Sequence, residues 1–395
     1  MMKIQKLVLI SILGRSIVGL FGIIQLRAAL PVFGISGFAE IAAATTLLTV
    51  GIVLESGLAW NLRLEISQSS SENINNLVRK TFLKLVLFCA PLCLITFAVM
   101  VTSNSVVIQL NAGILFMTFG NLLFIPWLRL LEGIGLQYVA ILIQVATSFI
   151  ILLIVLTTVH LVNIVKFTLL ISSGGLMSSI VVYVYIRMRM QKGIPDGASH
   201  NQGDFYVRVP NLDSLVVVFS SNLIFGFYPL LYHFYKNNDF VSQTGIRVRI
   251  FSLMLGVIGV IGTQLQVKSA QHIDGLRYGL RIRILTSVVL IFTFVGADFI
   301  LETVVLGKDN PFNIFESVSF GVLAALVESQ IHNSTLELKQ FGLKRQVVSY
   351  SICTIIFAFS FVFIRHFDLS LVWATCLIFY IVHVRPLGKR VGRPW

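Results

Sequence analysis

The sequence predicts an all-α polytopic membrane protein of about twelve transmembrane helices, arranged as two six-helix lobes around a central cavity. Three observations predict it. Apolar runs long enough to cross about 30 Å of hydrocarbon recur along the whole chain. Positive charge is confined almost entirely to alternate loops between them. A polar, Gly-containing stretch near the middle, RMRMQKGIPDGASHNQGDF, leaves six apolar runs before it and six after.

Composition removes the main competing classes. Of 395 residues, 56% are hydrophobic and only 12% are charged, against roughly 25% charged in a soluble domain. Mean hydropathy is +0.89. The net charge of +13 would suit nucleic acid only on a soluble basic face. Here the basic residues lie in short loops between apolar runs, so no nucleic-acid partner is expected. Cys89, Cys93, Cys353 and Cys376 all fall in apolar stretches and read as packing thiols, with no disulfide framework. Cys89 and Cys93 stand four apart without a nearby His or acid, and no metal site is expected. Lys3 and Lys6 precede an apolar run with no A-x-A-like cleavage site, the pattern of a retained signal-anchor helix.

The helices are expected at 7–30, 36–60, 81–102, 106–129, 136–159, 163–186, 212–235, 246–267, 280–301, 311–336, 345–364 and 369–384. The first follows Lys3 and Lys6, and the second ends before Arg63. The third follows Arg79 and Lys80 and contains Pro91. The fourth contains Pro126 and closes at Arg129, and the fifth follows a brief turn. The sixth ends at Arg187 and Arg189, where the linker begins. The seventh contains Pro229, and the eighth precedes Lys268. The ninth follows Arg277, Arg281 lies in its first turn, and the tenth precedes Lys339. The eleventh follows Lys344 and Arg345, and the twelfth ends at Arg385. The three prolines are positions for kinks. The domain division is an N-terminal lobe 1–187, a cytoplasmic linker 188–211 and a C-terminal lobe 212–395.

Charge tests this parity. With the N-terminus in the cytoplasm, 22 of the 30 Lys and Arg residues fall in cytoplasmic segments and five in external loops; Arg15, Arg247 and Arg249 lie within helices. One missed helix would invert every later loop. The expected location is therefore the bacterial inner membrane, multi-pass, with both termini cytoplasmic.

The stretch Gly14–Ser67 is the most telling. It contains Phe33-Gly34 between the first two helices, then Glu55-Ser56-Gly57-Leu58 and Arg63 at the exit of the second. This resembles the opening of the Wzx-type polysaccharide-biosynthesis flippases, within the multidrug/oligosaccharidyl-lipid/polysaccharide exporter superfamily. That family more often has Asp at the Glu55 position. Asp213 at the start of the seventh helix and the basic stretch Thr244–Met254 fit the same pattern. The resemblance implies a carrier, not an enzyme and without a cofactor. It would move an undecaprenyl-diphosphate-linked oligosaccharide repeat unit, of O-antigen or a similar surface polysaccharide, across the inner membrane. A coupling cation (H+ or Na+) and the glycan polymerase of the pathway are implied partners.

The intramembrane charges are the candidate site. A mid-membrane Arg costs about 2.5–3.5 kcal/mol on insertion scales, so it should face a wet cavity or a partner. Arg15 lies nine residues after Lys6, about 13 Å deeper along a helix. Arg247 and Arg249 lie just inside the eighth helix, about 200° apart, so only one of them faces a cavity directly. Guanidinium forks suit a diphosphate. The competing reading is internal ion pairing, or snorkelling of Arg247 and Arg249 to the outer surface. Glu55, Glu328 and Asp213 are the ion-coupling or ion-pair candidates. Glu40, Asp298 and Glu316 are expected at the outer interface. Tyr228 and Tyr232 lie on one face of the seventh helix and suit sugar contact, with helix packing and an interfacial aromatic belt as the alternative.

Three other functions compete. A membrane glycan polymerase or ligase would need a large periplasmic loop, and the external loops here are short. A cation-coupled multidrug exporter of the same superfamily is compatible with the charged interior. A peptidoglycan-precursor flippase would need two further helices.

Overall fold

The computed structural model describes residues 2–58, 71–134, 136–190, 243–251, 280–305 and 312–326. It also describes positions 62, 65, 66, 215, 216, 219, 220, 254, 347, 348, 350–352, 354, 355, 376, 377 and 380. The chain falls into two compact units, Met1–Asp204 and Phe205–Trp395. The first contains α1 (Met2–Thr45), α2 (Leu48–Leu58), α3 (Ser71–Thr102), α4 (Val106–Gly133), α5 (Gln137–Thr158) and α6 (Ile164–Met190). The second contains a helical segment 243–251, α7 (Leu280–Val305) and α8 (Ile314–Leu326). The seventh, eleventh and twelfth expected helices lie mostly outside the described residues, as does most of the eighth.

α1 has 44 residues, which as one rod would be about 66 Å long, twice the bilayer core. It is not one rod. Gly34 has φ 69° and ψ −179°, a region that only Gly enters without strain. The contacts show a reversal there. Before it, Gly14 meets Ile141 and Phe21 meets Phe149, so the chain ascends alongside α5. After it, Ala44 packs with Leu110 and Ile114, Gly51 meets Thr118, and Glu55 meets Arg129, so the chain descends alongside α4. α1 is thus a helical hairpin whose crossings meet at Gly34. A Cβ on Gly34 would meet nothing within 4 Å, so Gly34→Ala tests the backbone alone. It should lower the melting temperature of the purified protein, through a cost of about 1–3 kcal/mol. Gly296, inside α7, also has open space around it, and Gly296→Ala should leave the melting temperature unchanged or slightly raised. Equal behaviour of the two variants would show that the Gly34 bend carries no strain.

The second crossing is interrupted at Thr46–Leu47. Backbone N–H groups of Thr46, Leu47, Thr49 and Val50 donate three residues back rather than four. The Thr46 and Thr49 hydroxyls donate to Ala43 and Thr46 carbonyls at 2.6 Å. Threonine hydroxyls competing for the ladder loosen it into a tighter turn.

Several helix ends run past the sequence reading: α4 to Gly133, α6 to Met190 and α7 to Val305, each four residues beyond the expected end, and α3 at its start. α3 starts at Ser71, ten residues before the expected 81, because the polar run SENINNLVRK is amphipathic. Its Ile74 and Val78, one turn apart, are buried with Leu62, Ile66, Leu130, Leu131, Ala140, Val182 and Ile186. A small apolar core thus closes the end of the unit that carries Arg129. The outward face of α3 leaves Leu87 and Leu94 79% and 71% exposed, which only a hydrocarbon surrounding would tolerate. Cys89 and Cys93 pack in a mid-helix cluster around Leu85, Phe119, Leu122 and Ile125.

Candidate functional site

Among the described residues, each unit holds a group of charged side chains inside its helices. In the first unit, Arg129 lies in the last turns of α4. Its Nε donates to Glu55 Oε1 of α2 at 2.6 Å, and its Nη2 reaches the same oxygen. Its Nη1 donates to Glu132, one turn on. The group is partly exposed, at 22% for Arg129 and 13% for Glu55. Arg15 of α1 lies within electrostatic reach of both Glu132 and Arg129. Gly14, beside Arg15, draws α1 close to α5: a Cβ there would sit 2.3 Å from Ile141. Arg15 thus brings a second guanidinium within electrostatic reach of the Arg129 group.

The second unit is built differently. Arg247 is fully buried, as is Asp298, and its Nε donates to Asp298 Oδ2 at 3.0 Å. Its Nη2 lies 2.7 Å from Glu302 Oε1, an ion-pair contact without hydrogen-bond alignment. Its Nη1 donates to Glu316 of α8, whose other oxygen accepts from Asn313 Nδ2 at 2.8 Å. Asp298 and Glu302 are four apart on α7 and so share a face. One guanidinium here faces three carboxylates.

Of the residues singled out from sequence, the structure brings Arg15 beside Arg129 and Glu132, seats Glu55 on Arg129, and encloses Arg247. Arg249 is half-buried two residues further on, about 200° around the helix from Arg247. Tyr228, Tyr232, Asp213 and Glu328 lie outside the described residues. Asp298 and Glu316, expected at the outer interface, lie toward the end of α7 and at the start of α8, where both pair with Arg247 and are 0% and 13% exposed. Arg129, counted from sequence as a cytoplasmic charge at the end of the fourth helix, lies four residues inside the end of α4. The sequence reading does not single out Glu302 or Glu132. Asp298 and Glu302 do carry a signal: two acids four apart in an apolar helix repel unless a cation lies between them.

No family model matches this chain, and no curated protein matches it. Solved structures do. An inward-facing multidrug resistance MATE family transporter of the MOP superfamily aligns over 95% of this chain and 94% of its own, at 12% identity and a TM-score of 0.64. The MATE multidrug transporter DinF-BH aligns over 98% and 94% at 13% identity and a TM-score of 0.56. A MOP superfamily transporter from Pyrococcus furiosus, described by a reversed polarity of its binding pocket, aligns over 98% and 95% at 14% identity and a TM-score of 0.52. At these identities the likeness is one of fold: an all-α polytopic membrane protein with the two-lobed, twelve-helix plan of those transporters.

Proposed function

We propose that this chain is a flippase that carries an undecaprenyl-diphosphate-linked oligosaccharide repeat unit across the bacterial inner membrane, with both termini in the cytoplasm. The observation that carries this reading is the convergence of Arg15 and Arg129 in one unit. Arg129 is engaged by the carboxylates of Glu55 and Glu132, and Arg15 brings a second guanidinium within electrostatic reach of the same group, where its charge can engage an added anion. A diphosphate presents paired oxygens that guanidinium forks engage at two points. The likeness to transporter folds and the Phe33-Gly34 and Glu55 pattern support the same reading.

Arg15→Ala should stop surface-glycan display while leaving protein abundance close to normal. Arg15→Lys should recover display only in part, because a point charge lacks the fork. Normal display by Arg15→Ala would overturn the assignment of Arg15. The multidrug-exporter alternative rests on the likeness to multidrug transporters. Loss of cationic-dye efflux without loss of glycan display, on deleting the protein, would favour it over the flippase.

A further inference from the structure

We infer that the Arg247 group of the second unit is a proton-binding site, with Glu302 the residue that holds the proton. Among the described residues of the group, with every one ionised, one guanidinium and three carboxylates leave two negative charges in excess. Arg247 and Asp298 are 0% exposed and Glu302 3%, and uncompensated charge at that depth is strongly disfavoured. Protonating one carboxylate halves the excess.

The hydrogen-bond inventory identifies which. Both oxygens of Glu302 and the Oδ1 of Asp298 are buried without a hydrogen-bond partner. Two ionised carboxylates offer acceptors only, so they cannot satisfy each other. A proton on Glu302 turns one of its oxygens into a donor. Asp298 lies one turn away on the same face, and its carboxylate is an acceptor for that proton. Asp298 Oδ2 and Glu316 are already engaged by Arg247 through hydrogen bonds, whereas Glu302 has only its unaligned ion-pair contact. Two further hydroxyls complete the surroundings: Thr244, one turn before Arg247, is buried without a hydrogen bond, and Ser317 offers its hydroxyl to Asp298. Among the described residues, the charges that act on Glu302 are Arg247, Asp298 and Glu316. Glu316, 13% exposed, is the most exposed member of the group. A metal ion fits less well: among the described residues no group of three His, Cys, Asp or Glu is arranged to hold one.

Proton binding here stands on the geometry of the group; only its use to drive transport rests on the flippase reading. The test is infrared difference spectroscopy of the full-length protein in lipid vesicles, titrated from neutral to alkaline pH in sodium-free buffer. The expected result is a protonated-carboxyl stretch at neutral pH that disappears at alkaline pH. Glu302→Asp should shift this band, and Glu302→Gln should remove it, while Glu132→Gln leaves it in place. A band indifferent to both Glu302 substitutions would overturn the proposal, even if Glu302→Gln accumulates poorly, since Glu302→Asp keeps the charge pattern. A response to added sodium at constant pH in place of the pH response would also overturn it. The flippase reading fails separately, by normal glycan display when the protein is deleted.

Discussion

Arg247→Leu is expected to abolish accumulation of folded protein. The leucine fills a similar space but leaves Asp298, Glu302 and Glu316 facing one another inside the second unit, with the first two 0% and 3% exposed. Removing one partner of a buried ion pair costs about 3–5 kcal/mol, and here one side chain serves three partners. That loss is comparable with the whole stability of an ordinary domain, about 5–15 kcal/mol. Arg247→Lys should fall between wild type and Leu: it keeps the charge but cannot present three N–H directions in one plane to three carboxylates. The discriminating variant is Arg247→Leu combined with Asp298→Asn and Glu302→Gln. Removing the stranded charges together should restore much of the accumulation, because a neutral interior is tolerated where half of an ion pair is not. Membrane abundance and the detergent melting temperature measure the series. Wild-type abundance of Arg247→Leu alone would show that the group does not hold this unit together, and would return Arg247 to the role of a ligand for an external anion.

The contrast between the two units bears on how much was legible in the sequence. Spans were legible, because hydrocarbon demands long apolar runs and internally bonded backbone. The break at Gly34 was legible too, since the expected loop 31–35 contains it and only Gly adopts its conformation comfortably. Extensions beyond the bilayer were not. The first ten residues of α3 look like a loop on hydropathy, and become helix because Ile74 and Val78 find Leu130 and Val182 from distant parts of the chain.

The partners of the charged residues were the least legible. Arg247 pairs with residues 51 and 69 positions away, and Arg129 with one 74 away. No local pattern encodes which helix faces which. The sequence shows only that an intramembrane Arg must have some partner; whether that partner is an internal acid or a substrate phosphate depends on packing. Arg15 and Arg247 look alike in the sequence and sit in opposite settings. One lies within electrostatic reach of a second guanidinium, and the other is, among the described residues, the cation at the centre of an acidic set.

Glu55 is where the two readings of an intramembrane acid separate most cleanly, and its partner Arg129 is the residue to change first. Arg129→Met should lower stability by about 2 kcal/mol, less than Arg247→Leu, because Arg129 and Glu55 keep 22% and 13% exposure and water softens the loss. Glu55→Gln removes the opposite charge but leaves Glu132 bound to the same guanidinium, so it should cost roughly half as much. The double variant should then be more stable than the sum of the two losses, since removing Arg129 strands less charge once Glu55 is already neutral. Melting temperatures of the four proteins give the coupling. If Glu55 instead carries a coupling cation, Glu55→Gln would keep its melting temperature and lose transport, and the cycle would show no coupling to Arg129. The geometry favours the ion pair. Glu55 takes both Nε and Nη2 of one guanidinium on a single oxygen, and a carboxylate so engaged releases its counter-ion only when α2 and α4 move apart.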